Sequence, residues 1–401
     1  MSQQNFSSTK QILLGVQFLF VAFGATVLVP LLVGIDPSVA LFTAGVGTLV
    51  FHLITKGKVP VFLGSSFAFI APIVACTERY GLAGTFSGII AVGMVYSLAS
   101  AFVKLRGLKA IEHIFPSVVV GPVIMIIGLS LAKTGVDMAA SHWPIAVLSL
   151  LTAIIVVTYT KGMLRLIPVF AGIIVGYVAA LLLGEVDFTP MRESAWFALP
   201  EFQKPEFSWG AILYMLPVAV APIIEHIGDM YAIGAVAEKN FVKKPGLHRT
   251  LLGDGVATAF AGFMGGVPNT TYSEVTGAIS LTKVTKPRIL QISAVTAILF
   301  SVIGKISGFL KSIPISVLGG IMLLLFGMIA SVGIKTLIDS KTDMNKTRNQ
   351  VIVSVIMTVG IGGAAIDYEN FSLAGIGLAS VVGVLLNLIL PKHSRPVESK
   401  A

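Results

Sequence analysis

PNTTYSEVTGAISLTK, from Pro268 to Lys283, interrupts an otherwise apolar chain with hydroxyls, a glycine and one carboxylate, Glu274. Apolar segments flank it on both sides. Unpaired backbone and a charge are both costly at bilayer depth, so such a break needs a reason. A second break, Pro60–Pro72, reads PVFLGSSFAFIAP, and its GSSF at Gly64–Phe67 matches NTTY at Asn269–Tyr272 in character. Both alternate more than they follow a helical period. Extended backbone followed by a half-helix is therefore expected in each, buried in protein or facing a watery cavity. Crossing near the midplane, the two would share backbone hydrogen bonds and aim amides and half-helix N-termini at a ligand.

The rest of the chain sets the context. Its 401 residues are 55% hydrophobic and only 12% charged, with mean hydropathy +0.91. So little charge at this length implies a polytopic membrane protein. The apolar runs recur throughout, so the N-terminus reads as a first span and not a cleaved signal. Cys76 is the one cysteine, which excludes a disulfide framework or a cysteine-built zinc site within one chain, and the six histidines show no metal-ligand spacing. No metal site and no cofactor are expected.

Segments able to span or half-span fall at 12–34, 38–54, 60–76, 82–103, 115–132, 144–159, 166–183, 209–233, 250–266, 269–282, 289–304, 313–332, 350–366 and 373–390. Basic residues test this count of fourteen. Numbering the loops alternately puts 22 of the 28 Lys and Arg on the side of the N-terminus. Only Arg79, Lys133, Arg192, Lys204, Lys305 and Lys311 fall on the other. That asymmetry places both termini in the cytoplasm. The net charge of +9 is then a topology signal, and nucleic acid is not needed as a partner.

An acidic outside segment near 184–208 divides the chain into seven spans and seven spans. Pro116-SVVV-Gly121 matches Pro314-ISVL-Gly319, pairing the fifth span with the twelfth, while the two polar breaks pair the third with the tenth. Both matches are seven spans apart, and an odd number per repeat forces an inverted repeat.

Of nineteen acidic residues, most fall in the loops, and Glu225, Asp229 and Glu274 stand out within spans. A charge there costs about 2.5–3.5 kcal/mol on insertion scales, so such residues usually face the protein interior and work. Glu225 and Asp229 share a helix face. His226 is turned about 100° away. No basic residue lies deep in a span. Carboxyls without a buried cation suit reversible protonation and can accept N–H bonds from a polar heterocycle. His226, His52 and His248 are possible relays, though a lone histidine is more often packed. Phe67, Phe69 and Tyr272 can stack on a flat ligand. No GxxxxGK[ST] and no Ser/His/Asp arrangement is present, which speaks against an ATP-driven pump and against a membrane enzyme.

These residues resemble the nucleobase–ascorbate (nucleobase–cation symporter-2) family, and within it the bacterial uracil permeases. The resemblance covers nearly the whole chain. It is carried by QFLFVAFGATVLVP at Gln17–Pro30, KGKVPVFLGSSFAF at Lys56–Phe69, EHIGD at Glu225–Asp229, PGLHR at Pro245–Arg249, PNTTYSE at Pro268–Glu274 and DSKTDMNKTRN at Asp339–Asn349. It implies an all-α polytopic fold of fourteen segments in two inverted seven-segment repeats, with short antiparallel strands in segments 3 and 10. Segments 1–4 (1–110) and 8–11 (206–308) would form a core domain, and segments 5–7 (111–205) and 12–14 (309–401) a gate domain. Glu225 and Glu274 would bond the base edge, the Phe67 and Ser273 amides would meet its carbonyls, and Ala25, Tyr272 and Phe326 would line the pocket. Glu225, Asp229, Glu274 and His226 would handle the coupling proton.

Three positions depart from the family pattern. Val275 replaces an asparagine of the signature, Asp229 stands where uracil permeases have histidine, and Gln17-Phe18 replaces a Gln-His pair. The resulting expectation is proton-coupled uptake of a nucleobase, uracil first, by alternating access across the cytoplasmic (inner) membrane. Its expected partners are the base, membrane lipid and a second copy bound through the gate domains. A purine (xanthine or urate) symporter is the nearest alternative. An anion transporter of the same fold would want a deep cation in place of the carboxylates.

Overall fold

The computed structural model describes residues 7–107, 113–162, 164–368 and 371–391; the side chains of residues 25, 273, 367, 368, 371 and 372 lie outside that description. The first half runs α1 (Ser8–Leu32), α2 (Pro37–Ile54), β1 (Leu63–Ser65), α3 (Ile70–Arg106), α4 (Ser117–Ser130), α5 (Ala132–Ala140), α6 (Trp143–Tyr159), α7 (Pro168–Leu182) and α8 (Thr189–Glu193). The second half runs α9 (Trp209–Met215), α10 (Val220–Ala237), α11 (Leu247–Phe263), β2 (Asn269–Thr271), α12 (Ser273–Thr282), α13 (Pro287–Ser301), α14 (Gly304–Lys311), α15 (Ile315–Asp339), α16 (Thr347–Ile361), β3 (Ala365–Tyr368), β4 (Phe371–Ala374) and α17 (Gly375–Ile389).

The protein is a multi-pass membrane protein and mostly helical. Among the described residues six helical stretches are long and apolar enough to cross a bilayer, and α13 with α14 forms a further pair bent by 82°. The helices α6, α7, α16 and α17 are apolar but shorter. Local chemistry explains the breaks. Gly81, at φ +73°, bends α3, so the expected segments 60–76 and 82–103 share one helical run. Pro217, in the 3-10 turn Leu216–Ala219, has no N–H to give, and it separates α9 from α10. Asp36 caps α2, with Pro37 in its first turn. The short helices α5 and α14 and the β3–β4 hairpin were not foreseen; each occupies a stretch that the sequence assigned to a loop or a span end.

Helices pack in two groups. In one, α3 lies along α11, α2 along α11 and α13, and α1 along α13. In the other, α15 lies against α4, α5, α6 and α7, and α16 against α17 and α4. Glycines set the closest approaches: a Cβ on Gly93 of α3 would stand 2.5 Å from the Gly255 carbonyl of α11, and one on Gly255 2.8 Å from the Gly93 carbonyl. Without a hydrophobic force between helices in lipid, this close backbone packing holds the pair.

Candidate functional site

The site is assembled on a two-stranded antiparallel ladder. Leu63 pairs with Thr271, Gly64 with Thr270 and Ser65 with Asn269, and the Ser66 N–H donates to the Pro268 carbonyl at 3.0 Å. A two-stranded ribbon has two free edges, and side chains from neighbouring helices close both. On the β1 edge, Thr48 Oγ1 of α2 accepts the Leu63 N–H at 2.8 Å and lies 3.3 Å from the Leu63 carbonyl. His52, one turn on, bonds the Val61 carbonyl through Nε2 at 3.0 Å. On the β2 edge, Thr258 of α11 donates to the Asn269 carbonyl at 2.8 Å, and the Thr271 N–H donates to the Asp254 carboxylate. Asp254 and Thr258 are four apart, so one face of α11 serves both.

Each break then turns into a helix at its strand end. Phe67 begins a 3-10 turn that leads into α3, and Ser66 before it gives no side-chain cap. Tyr272 precedes α12, also without a side-chain cap. The leading N–H groups of both helices are thus left for something other than a side-chain cap. Tyr272 is 4% exposed. Its hydroxyl donates to the Ser65 carbonyl at 2.9 Å, and Thr26 Oγ1 lies 3.3 Å from it. Tyr272 therefore serves the ladder with its polar end.

The carboxylates converge. Glu225 feels the charges of Asp229, Glu274 and Asp254. Glu225 is half-buried on α10. Glu274 is reached by solvent even though it sits deep among protein atoms, so it lines an internal crevice. Three residues beyond each glutamate stands a glycine, Gly228 on α10 and Gly277 on α12. Both are exposed, and a Cβ on either would meet nothing within 4 Å. Spacing of three keeps glutamate and glycine on one helix face, and α10 packs against α12. Two matching faces thus border the crevice. Asp229, one turn from Glu225, is buried and accepts the Thr271 hydroxyl at 2.8 Å.

The remaining expected residues are placed as follows. Phe67 is half-buried at the start of its turn, and α4 packs against that turn. Phe326 is 2% exposed, and its ring carbons lie 3.4–3.5 Å from where a Gly135 Cβ would stand. It fills the contact of α15 with α5. Val275 is buried in the apolar core. Ala25 and Ser273 lie in α1 and α12; their side chains fall outside the description.

His226 and Asp254 correct the sequence reading. Asp254 falls only four residues inside the expected segment 250–266 and was not singled out with the other deep acids, yet it is fully buried two turns into α11, and its Oδ2 lies 2.8 Å from His226 Nδ1. Hydropathy fixes a span's end only to several residues, which hides an acid so close to one. The signals that mark it are its glycine neighbours, Gly253 and Gly255, and Thr258 four residues on.

A sequence profile described as "Permease family", that of the xanthine/uracil permeases, matches residues 9–368. The chain belongs to the xanthine/uracil permease family. This permease is 51% identical over 404 residues to the probable uracil permease of Haemophilus influenzae, covering 98% of each chain. It is 45% identical to the uracil permease of Bacillus caldolyticus (97% of this chain, 94% of that one) and 39% identical to that of Escherichia coli K12 (96% and 92%). In fold the permease is similar to the transmembrane domain of a cyanobacterial bicarbonate transporter, BicA, with TM-score 0.64 at 17% identity over 96% of this chain and 98% of that one. It is also similar to the murine anion transporter Slc26a9, with TM-score 0.69 at 12% identity over 97% and 69%. A permease moves its substrate unchanged, so no nucleophile is needed at this site.

Proposed function

We propose that this permease takes up uracil across the cytoplasmic membrane by alternating access, coupled to protons. The observation that carries the substrate is the pairing of Glu225 and Glu274 beside two uncapped helix starts. A uracil ring presents N–H groups and carbonyls around one edge. The carboxylates accept the N–H groups, and the amides of Phe67 and Ser273 donate to the carbonyls. Ala25, Tyr272 and Phe326 belong to the surrounding wall. Relatives named as uracil permeases over the full length support the same reading.

Asp229 bears on the choice of base. Its bond to the Thr271 hydroxyl engages it with the ladder, which favours uracil over a purine that would recruit an extra acceptor. A substrate anion would meet several carboxylates here, and His226 bonds one of them, Asp254. The cycle needs no cofactor beyond the coupling proton, held among Glu225, Asp229, Glu274 and His226.

The architecture in this reading has fourteen segments in two inverted repeats, with β1 and β2 in segments 3 and 10 and both termini in the cytoplasm. Residues 1–110 and 206–308 form the core domain, and 111–205 and 309–401 the gate; the boundary at 110 falls in 108–112, outside the described residues. The two packing groups, one around α3 and α11 and one around α15, support this division. The gate group is also the surface proposed to meet a second copy in the bilayer.

Uptake of labelled uracil into cells tests the site. Glu225→Gln and Glu274→Gln are expected to abolish it, and full uptake in both variants would reject the assignment. Unlabelled xanthine is expected to leave uracil uptake intact; strong competition would move the substrate to the purine class.

A further inference from the structure

Behind the two glutamates lies a buried pair that substrate binding leaves unused. His226 on α10 and Asp254 on α11 are both fully buried and 2.8 Å apart. His226 follows Glu225, so its ring leaves α10 about 100° round from the crevice. Facing an ionised carboxylate, a neutral His226 ring carries its proton on Nδ1, which leaves Nε2 as an acceptor. His226 Nε2 and Asp254 Oδ1 both lack a hydrogen-bond partner among the described residues. A buried polar atom left that way costs about 1–3 kcal/mol, and sites keep such atoms where another species visits.

The pair is tied to the ladder. Asp254 accepts the Thr271 N–H, and the Thr271 hydroxyl bonds Asp229. Three residues after Thr271 stands Glu274. A change of charge at Asp254 thus alters a bond on the strand that leads into the substrate site.

We propose that the His226–Asp254 pair carries the transported proton and that Thr271 passes its state to the uracil site through β2. This rests on the proton-coupled reading above. The proton adds to the lone pair of His226 Nε2, forming an N–H bond and an imidazolium, while Nδ1–H keeps its bond to Asp254. Discharge breaks that N–H bond and returns the lone pair. The loaded imidazolium offsets the charge of neighbouring carboxylates, so Glu225 and Glu274 accept uracil N–H groups as anions.

The charged surroundings favour a cation at this point. Tyr96 of α3 and Glu225 of α10 act electrostatically with Asp254, and Asp229 of α10 and Glu274 of α12 act on Glu225. On α2, which packs on α11 through Phe51 against Gly253, the neighbouring His52 is turned to the Val61 carbonyl. Lys243 and Lys244 precede α11 and are exposed. The helices α4 and α17, which also pack on α10, carry no titratable residue.

Purified protein in liposomes separates the outcomes. Uracil accumulation driven by an inward proton gradient is compared with uracil counterflow at uniform pH. Asp254→Asn and His226→Gln are expected to keep exchanging uracil but to lose gradient-driven accumulation by more than about tenfold, within the usual range of a coupling free energy. Their uptake should no longer vary with pH, and Asp254→Glu should recover part of the driven uptake. Wild-type gradient dependence in Asp254→Asn would overturn the proposal. Loss of counterflow and accumulation together, at an unshifted melting temperature, would also overturn it and leave the pair a structural role. A wild-type protein indifferent to the gradient would instead reject proton coupling itself.

Discussion

The ring of Tyr272 lies across Gly64: a Cβ on that glycine would stand 2.5 Å from the tyrosine Cε2 and from its hydroxyl oxygen. The aromatic residue of the second break therefore sits on the glycine of the first, and its hydroxyl bonds Ser65 next door. Gly64→Ala should lower stability by about 1–3 kcal/mol through overpacking. Tyr272→Phe should cost about 0.5–1.5 kcal/mol for the lost hydrogen bond. Melting of the purified protein in detergent checks both, and a neutral Gly64→Ala would show that the ring moves freely.

Thr48 gives a sharper case. Thr48→Val keeps the shape but strands the Leu63 N–H in a buried setting, which should cost about 1–3 kcal/mol, whereas Thr48→Ser keeps the hydroxyl and should stay close to wild type. Equal melting temperatures for the two variants would mean that Leu63 finds another partner.

Gly228 and Gly277 leave room without touching a neighbour. Gly228→Val and Gly277→Val are expected to cut uracil uptake more than tenfold, or about 1.4 kcal/mol in the productive step. Because no packing is disturbed, the stability change should stay near the roughly 0.5 kcal/mol of ordinary surface changes. Unchanged uptake in both would move the path elsewhere.

Asp36 predicts a pH effect outside the membrane. Burial raises its pKa, but bonds from Lys311 and Ser38 outweigh that and hold the carboxyl below its ordinary value of 3.8. The Ser38 N–H and hydroxyl donate at 2.7 and 2.6 Å, Ser307 at 3.0 Å, and Lys311 forms an ion pair with it. A lowered folded pKa means that this stabilisation is present above 3.8 and is lost as pH falls through the folded value. Asp36→Ala should cost about 0.5–2 kcal/mol at neutral pH, as the loss of a helix cap does. Its deficit against wild type should shrink below pH 3.8. Melting curves at several pH values measure this, and a deficit that persists in acid would assign the effect to packing.

The membrane class and the family were legible because a bilayer punishes polar residues severely, so each deep one carries information. Asp254 was not singled out, because it stands only four residues inside a span end that hydropathy fixes to within several residues. The edge-closing roles of Thr48 and Thr258 were hidden for another reason. A threonine in an apolar helix is unremarkable until the strand that it serves is seen. Phe326 was expected at the pocket, and its ring is found against Gly135, a neighbour on α5, a helix that the sequence had not suggested.

The β1–β2 ladder has a consequence for how the chain is made. Its strands lie about 200 residues apart. At the usual ~5–20 residues per second, the first strand waits about 10–40 s for its partner. During that interval Thr48 and His52, already synthesised on α2, can hold Leu63 and Val61. The early half of the chain thus carries its own temporary support for a strand that lipid alone would not tolerate. The ladder closes only once Asn269–Thr271 has been inserted, which makes completion of the site a late event in biogenesis.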